Sequence, residues 1–530
     1  MTNTPWIARG AALLGGIIYF LHALFYAHTQ ESVLDEGAYL LKGLWFVTGK
    51  YQPFQDYGPL TNHMPLSFIF HGFVQDWFGP GLRAGRYFAI ALSVWMLAGL
   101  WLLIRRATAD KNHPPPSVRS EWWAALAVWA VAINPATARI YSLATTQAMI
   151  ACMLVWVLVL AIGEDRPLWQ IAAGAALAGV MILTRLNLAP VLVLLIPYVF
   201  WQHGWRAGRW AALAGVFTLL TGHAIFWPGI LKIWAYWIPT GLSPFLAPWR
   251  QPEAARFWAP AVSLDNRVLS FLQGMRFHFV AVTAFITTLF LWPRRDRRRA
   301  PSRFRASVFL AALFAVLFLE HALASLGLSY CVYCFPMYLS FFAPLGLILF
   351  AMANGLSRSP ASFERASPVR QGAAALFVIG FAALLGYGAY GEIGERLVRL
   401  RVPRLKTLIV TGSLAAGIPL WDMLQTRFGI AFETSKRLIP ALAGLLAGLL
   451  AAGIGWIVRK HPGWGGGVWR VVRCPDSISA RRASSLPHPD PGERLPDLRL
   501  RRRPEQVVSG CRAAPGRVDP PRLASLLERR

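Results

Sequence analysis

About twelve apolar runs, each near the roughly 20 residues that cross a bilayer, divide this chain, and short clusters of Arg and Lys separate them. A backbone in lipid must satisfy its own hydrogen bonds, so a chain patterned this way folds as a bundle of helices. The runs fall near residues 9–29, 84–104, 121–134, 147–162, 168–183, 188–202, 210–227, 270–292, 306–326, 335–353, 373–390 and 438–458. Only 15% of the 530 residues are charged and 55% are hydrophobic, with a mean hydropathy of +0.44, which excludes an ordinary soluble domain. The first run shows no small-residue cleavage site and reads as an uncleaved anchor rather than a signal peptide.

The net charge of +28 does not imply nucleic acid, because the basic residues lie in short clusters between apolar runs, as in cytoplasmic loops. Arg105-Arg106, the run Pro293 to Arg299 and Arg459-Lys460 all read as cytoplasmic. The expectation is a multi-pass protein of the inner (plasma) membrane with a cytoplasmic N-terminus. Alternation then puts 30–80 and 229–269 outside as long loops. It also puts 392–437 outside, although Arg396, Arg399, Arg401, Arg404 and Lys406 run against the positive-inside trend. Either this is a small external basic segment resting on anionic lipid, or a crossing at 407–424 inverts everything after it. Five cysteines, Cys152, Cys331, Cys334, Cys474 and Cys511, are too few and scattered for a disulfide framework. Cys331 and Cys334 have metal-like spacing, yet one pair supplies only two of the usual four zinc ligands.

From residue 461 the chain turns rich in Arg, Pro, Ser and Gly and contains no Lys, Asn, Thr, Phe, Tyr or Met. Such a stretch cannot bury a core, and disorder is expected over 461–530. The missing residue types are those with AT-rich codons, so an out-of-frame translation of GC-rich DNA is one reading of this tail.

The most informative polar stretch is Asp35 to Leu66, DEGAYLLKGLWFVTGKYQPFQDYGPLTNHMPL, just after the first apolar run. Asp35-Glu36-Gly37, then Gly49, Tyr51, Pro53 and Asp56, then His63-Met64-Pro65-Leu66, resembles the first external loop of polyprenyl-phosphate-sugar-dependent glycosyltransferases of the GT-C fold. That group includes protein O-mannosyltransferases and the lipid A aminoarabinose transferase, with glycosyltransferase family 39 as its model. The resemblance implies a GT-C-type bundle of about twelve transmembrane helices with external interfacial helices, spanning 1–391, with a last span at 438–460. A helix over 36–48, carrying Tyr39, Leu40, Leu44, Trp45 and Val47 largely on one face, would lie in the interface.

By the same resemblance the activity would be sugar transfer from a polyprenyl-phosphate donor to a lipid, glycan or protein acceptor on the outer face. Asp35 would be the base that takes the proton of the acceptor hydroxyl, and Glu36 would share or substitute. An acidic pair favourable to a helix dipole is the plain alternative. Arg185, basic on the outer side, would hold the donor phosphate or else reach lipid headgroups. His63 would orient the phosphate or a metal ion, or sit in the interface with a water partner. Asp56, Lys42 and Tyr333 are accessory candidates, and a divalent metal ion stays open as a cofactor. The sequence departs from the group where Met64 replaces a proline, where 136–147 holds no second acid, and where Tyr330, Tyr333 and Tyr338 stand in place of a basic residue. Glu320 and His321 are ionisable groups inside an apolar run, with no assigned role. A polytopic transporter or lipid and glycan flippase is the competing class, expected to show internal repeats and broken helices. A non-catalytic assembly partner would leave Asp35 dispensable.

Overall fold

The computed structural model describes residues 4–51, 54, 64–108, 118–238, 241, 244–250, 262–292, 301–327, 334–354, 367–402 and 417–460. The expected tail, 461–530, lies outside them. The helices are α1 (Thr4–Thr29), α2 (Leu34–Val47), α3 (Leu66–Phe78), α4 (Leu82–Thr108), α5 (Val118–Ala132), α6 (Pro135–Tyr141), α7 (Thr146–Ala161), α8 (Leu168–Thr184) and α9 (Ala189–Ile225). They continue with α10 (Leu231–Trp237), α11 (Leu264–Phe277), α12 (Phe279–Phe290), α13 (Pro301–Gly327), α14 (Phe335–Asn354), α15 (Pro368–Gly388), α16 (Glu395–Val398), α17 (Leu420–Phe428) and α18 (Phe432–Lys460). The only strands among the described residues are the two-residue β1 (Arg401–Val402) and β2 (Ile418–Pro419). The protein is an all-α, multi-pass membrane bundle.

Among the described residues seven helices are long and apolar enough to cross a bilayer, or nine if each of two bent pairs counts as one crossing. Helix α9 is two crossings, because its 37 residues fold back at Gly204, where φ is 83° and ψ 178°. Only glycine adopts that conformation without strain. The fold-back shows in the packing: a Cβ on Gly215 would lie 2.8 Å from the Leu192 side chain, and Gly208 faces Phe200. In a straight helix Leu192 and Gly215 would stand about 35 Å apart. With the halves of α9 separate, each bent pair taken as one and the shorter apolar α7 and α8 included, the described residues contain twelve apolar helical segments.

The bent pairs correct two sequence boundaries. Helices α5 and α6 meet at 76°, so part of the expected outer turn after 134 is helical; α11 and α12 meet at 86°, so the expected span 270–292 is broken at His278. Hydrogen bonds close both breaks. Asn134 caps α6 by accepting the Thr137 N–H at 3.2 Å and donates its amide to the Phe277 carbonyl at 2.7 Å. His278 Nε2 donates to the Pro336 carbonyl at 2.9 Å, and the Tyr141 hydroxyl donates to the Ser340 carbonyl at 2.6 Å. Asn134 serves both breaks, as acceptor for the Thr137 N–H at its own and as donor to the Phe277 carbonyl at the other, while His278 and Tyr141 tie the breaks to α14.

At the same end of the bundle, α2 and α3 cross through Gly43 and Gly72. A Cβ on Gly72 would overlap the Gly43 carbonyl, and one on Gly43 would meet the Phe68 carbonyl, so the crossing needs both glycines. The buried face of α2 carries Glu36, Tyr39, Leu40, Lys42 and Gly43, a more polar set than the apolar stripe expected from the sequence. The Gln75 side chain of α3 then ties the pair together, donating to the Leu40 carbonyl at 2.7 Å.

Beyond α15, Glu392 accepts from Arg276 at 2.6 Å and from Gln273 at 2.9 Å, fixing that stretch to the end of α11. Pairing of Arg401 with Pro419 and of Val402 with Ile418 returns the chain to the place it left. Reporter fusions after residues 112, 205, 297 and 363 should report the cytoplasm, and those after 55, 250 and 400 the outside. A cytoplasmic signal at 55 would put the acidic loop on the wrong side for an outward-facing reaction.

Candidate active site at one end of the bundle

The adjacent acids of α2 have opposite environments. Glu36 is fully buried and its carboxylate collects four N–H donors. Oε1 accepts from Arg86 Nε at 2.8 Å and from the Ala144 amide at 2.7 Å; Oε2 accepts from Arg86 Nη2 at 2.7 Å and from the Val33 amide at 3.1 Å. The remaining donors of Arg86 go to the carbonyls of Ala27 (2.8 Å), Gln30 (2.7 Å) and Glu31 (3.1 Å). All five guanidinium N–H groups are thereby used. This pair joins the end of α1, the start of α2, α4 and the turn before α7.

Asp35, one residue earlier and about 100° around the helix, is exposed and carries no hydrogen bond or ion pair among the described residues. It faces Tyr39 and Arg185 electrostatically. Helix α8 ends at Thr184, and Arg185 adopts extended geometry (φ −149°, ψ 118°) before a short turn, Leu186–Leu188, leads into α9. Its Nη1 donates to Thr146 Oγ1 at 2.7 Å and to the Tyr39 hydroxyl at 3.3 Å, while the guanidinium lies over Phe341 at 5.1 Å and Tyr338 at 5.9 Å. Burial opposes its charge, yet the facing groups, Tyr39 first and Asp35 among them, raise its pKa above the ordinary value. Nε and Nη2 have no acceptor among the described residues. Burial likewise pushes the Tyr39 pKa up, with Arg185 opposing.

Around this centre, Tyr39 stacks on His71 with ring centroids 5.7 Å apart. His71 Nδ1 donates to the Ser67 carbonyl at 2.8 Å, and burial pushes its pKa down to about 4, so the ring is neutral at pH 7. Lys42 is buried with Nζ 5.8 Å from Phe68 and 5.9 Å from Tyr51, and burial lowers its pKa to about 8. The turn after Arg185 is fastened by Asn187, whose side-chain amide meets His321 Nε2 at 2.7 Å, while His321 Nδ1 donates to the Leu317 carbonyl at 2.7 Å. This gives His321 a partner that the sequence did not reveal. Phe54 and Met64 pack with Leu183, Ile230 and Ile233, and Lys232 donates to the Phe54 carbonyl at 2.8 Å, so described residues of both long loops meet the end of α8.

Of the expected site residues, Asp35, Glu36, Lys42 and Arg185 gather at this end. His63, Asp56 and Tyr333 lie outside the described residues. Among the described residues no three of His, Cys, Asp and Glu cluster as metal ligands.

No protein family matches the sequence, and no curated protein does. Among solved structures, the chain is similar to ArnT from Cupriavidus metallidurans bound to undecaprenyl phosphate, at 15% identity over 90% of this chain and 82% of that one, with a TM-score of 0.44. It is also similar to the apo state of the same protein, at 15% identity over 84% and 77% of the two chains, with a TM-score of 0.41.

Proposed function

We propose that this protein is a membrane glycosyltransferase that moves a sugar from a polyprenyl-phosphate donor to an acceptor hydroxyl on the outer face. One observation carries the reading: of two adjacent carboxylates on α2, Glu36 is saturated by Arg86 and backbone amides, while Asp35 has no partner among the described residues and faces Arg185. An exposed carboxylate beside a cation with unused donors is the arrangement that this transfer needs. The acceptor oxygen attacks the anomeric carbon as Asp35 takes its proton. The bond from that carbon to the phosphate oxygen breaks, and the polyprenyl phosphate leaves with the electron pair, its charge facing Arg185.

Arg185→Ala is expected to lower turnover about tenfold to a hundredfold, the worth of hydrogen bonds to a charged group. Arg185→Lys should retain part of the rate, since it keeps the charge but loses the planar fork. Equal rates in all three proteins would return Arg185 to a headgroup contact.

The bent helix pairs are a feature that a transporter would share. Their breaks, however, are closed by Asn134 and His278, and the cavity that these residues line measures about 20 Å³, room for one water. Mass spectrometry of envelope glycolipids and glycans in a deletion strain tests the transferase reading. One sugar-bearing species should disappear while its polyprenyl-phosphate donor accumulates. An unchanged profile would contradict the reading.

A further inference from the structure

The start of α7 is rich in unmet donors. Any helix leaves its first N–H groups without intrahelical acceptors, and those of Thr146, Gln147 and Ala148 find none elsewhere among the described residues. These residues are buried, Gln147 at 5% exposure being the most accessible, so water does not freely take the place of an acceptor. Thr145, the N-cap, ordinarily would turn its hydroxyl back onto the helix. Here it makes no capping bond, and its Oγ1 is buried at the helix mouth without a partner among the described residues. Of the Gln147 side chain, the buried Oε1, an acceptor that takes no part in holding an anion, also has no partner among the described residues.

Around this mouth two cations, Arg86 and Arg185, stand against the carboxylates of Glu36 and, facing Arg185 from the exposed side, Asp35. Glu36 lies on the neighbouring Ala144 amide, but Arg86 neutralises it. The helix N-terminus contributes partial positive charge, and Arg185 reaches the same turn through Thr146 Oγ1. Three backbone donors, a hydroxyl and a guanidinium with unused N–H groups are complementary to a phosphate oxyanion.

We propose that the first turn of α7, with the Thr145 hydroxyl and Arg185, forms a cradle for a phosphate group. Its assignment to the donor's phosphate rests on the transferase reading above. Amides fixed in a helix need no reordering as the leaving group gains charge, so the cradle would act on departure as well as on binding.

The test is binding to the purified full-length protein in nanodiscs, by titration with a polyprenyl phosphate, the matching polyprenol and inorganic phosphate. Thr146→Ala and Thr146→Pro both lose the hydroxyl, and only the second loses the N–H. Proline suits the first helical position, and Thr145, at φ −125° and ψ 178°, already has the extended geometry that a following proline requires. Thr146→Pro should bind polyprenyl phosphate about tenfold more weakly than Thr146→Ala, with equal affinity for polyprenol.

Thr145→Val should also weaken polyprenyl phosphate about tenfold while its melting temperature holds or rises, because the lost hydroxyl has no partner. If Thr146→Pro does not fold, Thr145→Val decides. Equal affinity for polyprenyl phosphate in the wild type and all these variants overturns the cradle. If the wild type does not distinguish polyprenyl phosphate from polyprenol, yet inorganic phosphate binds with the same variant sensitivity, the cradle stands and the donor reading falls.

Discussion

Asp35→Asn is expected to lose about a hundredfold to ten-thousandfold in sugar transfer, the contribution of a positioned general base, with no change in melting temperature or membrane level. The stability half follows from the structure: Asp35 is exposed on the first turn of α2 and makes no hydrogen bond or ion pair among the described residues that the amide would break. The donor should still bind, because the base acts on the acceptor, so the loss should fall on kcat rather than on donor affinity. Glu36→Gln should show the opposite pattern. It replaces a carboxylate that receives four N–H donors with a group that presents two N–H donors of its own to Arg86 and the backbone. Its chief effect should be on folding, with activity per folded molecule nearer the wild type than in Asp35→Asn.

The largest expected stability effect belongs to Arg86. Arg86→Leu leaves the Glu36 carboxylate buried with only the Val33 and Ala144 amides, and it orphans the carbonyls of Ala27, Gln30 and Glu31. Breaking a buried pair by removing one partner costs about 3–5 kcal/mol, enough to lower the yield of folded protein sharply. The double variant Glu36→Leu/Arg86→Leu should be more stable than Arg86→Leu alone, because no uncompensated charge remains. Thermal unfolding of the three proteins in the same detergent measures this. Equal melting temperatures for wild type and Arg86→Leu would mean that the pair is not what joins α1, α2, α4 and α7.

The bundle was legible because lipid imposes long apolar helices, and their lengths are written in consecutive residues. Even the antiparallel halves of α9 were separated correctly, since His203 to Arg209 interrupts the apolar run where Gly204 folds it back. What the sequence hid depends on partners far along the chain. Asp35 and Glu36 are neighbours of the same charge, and only Arg86, fifty positions later, and the Ala144 amide separate their roles. The break at His278 carries no proline or glycine of its own; its bond to the Pro336 carbonyl is a tertiary contact. Helix α3 went unread because its apolar run is short and follows a proline. Asn187 and His321 each looked solitary, and their pairing spans 134 positions. Arg185 stood out because the alternation of spans puts it on the side expected to face outward, where a cation needs a reason.

The most direct test of the account is product analysis with purified protein, a polyprenyl-phosphate sugar and an envelope extract that supplies the acceptor. Wild type should move the sugar onto an envelope component and release polyprenyl phosphate in equal amount, while Asp35→Asn, folded and still binding donor, should do neither at more than about a hundredth of the rate. Transfer by Asp35→Asn at the wild-type rate, or wild type that binds donor and moves no sugar, would contradict it.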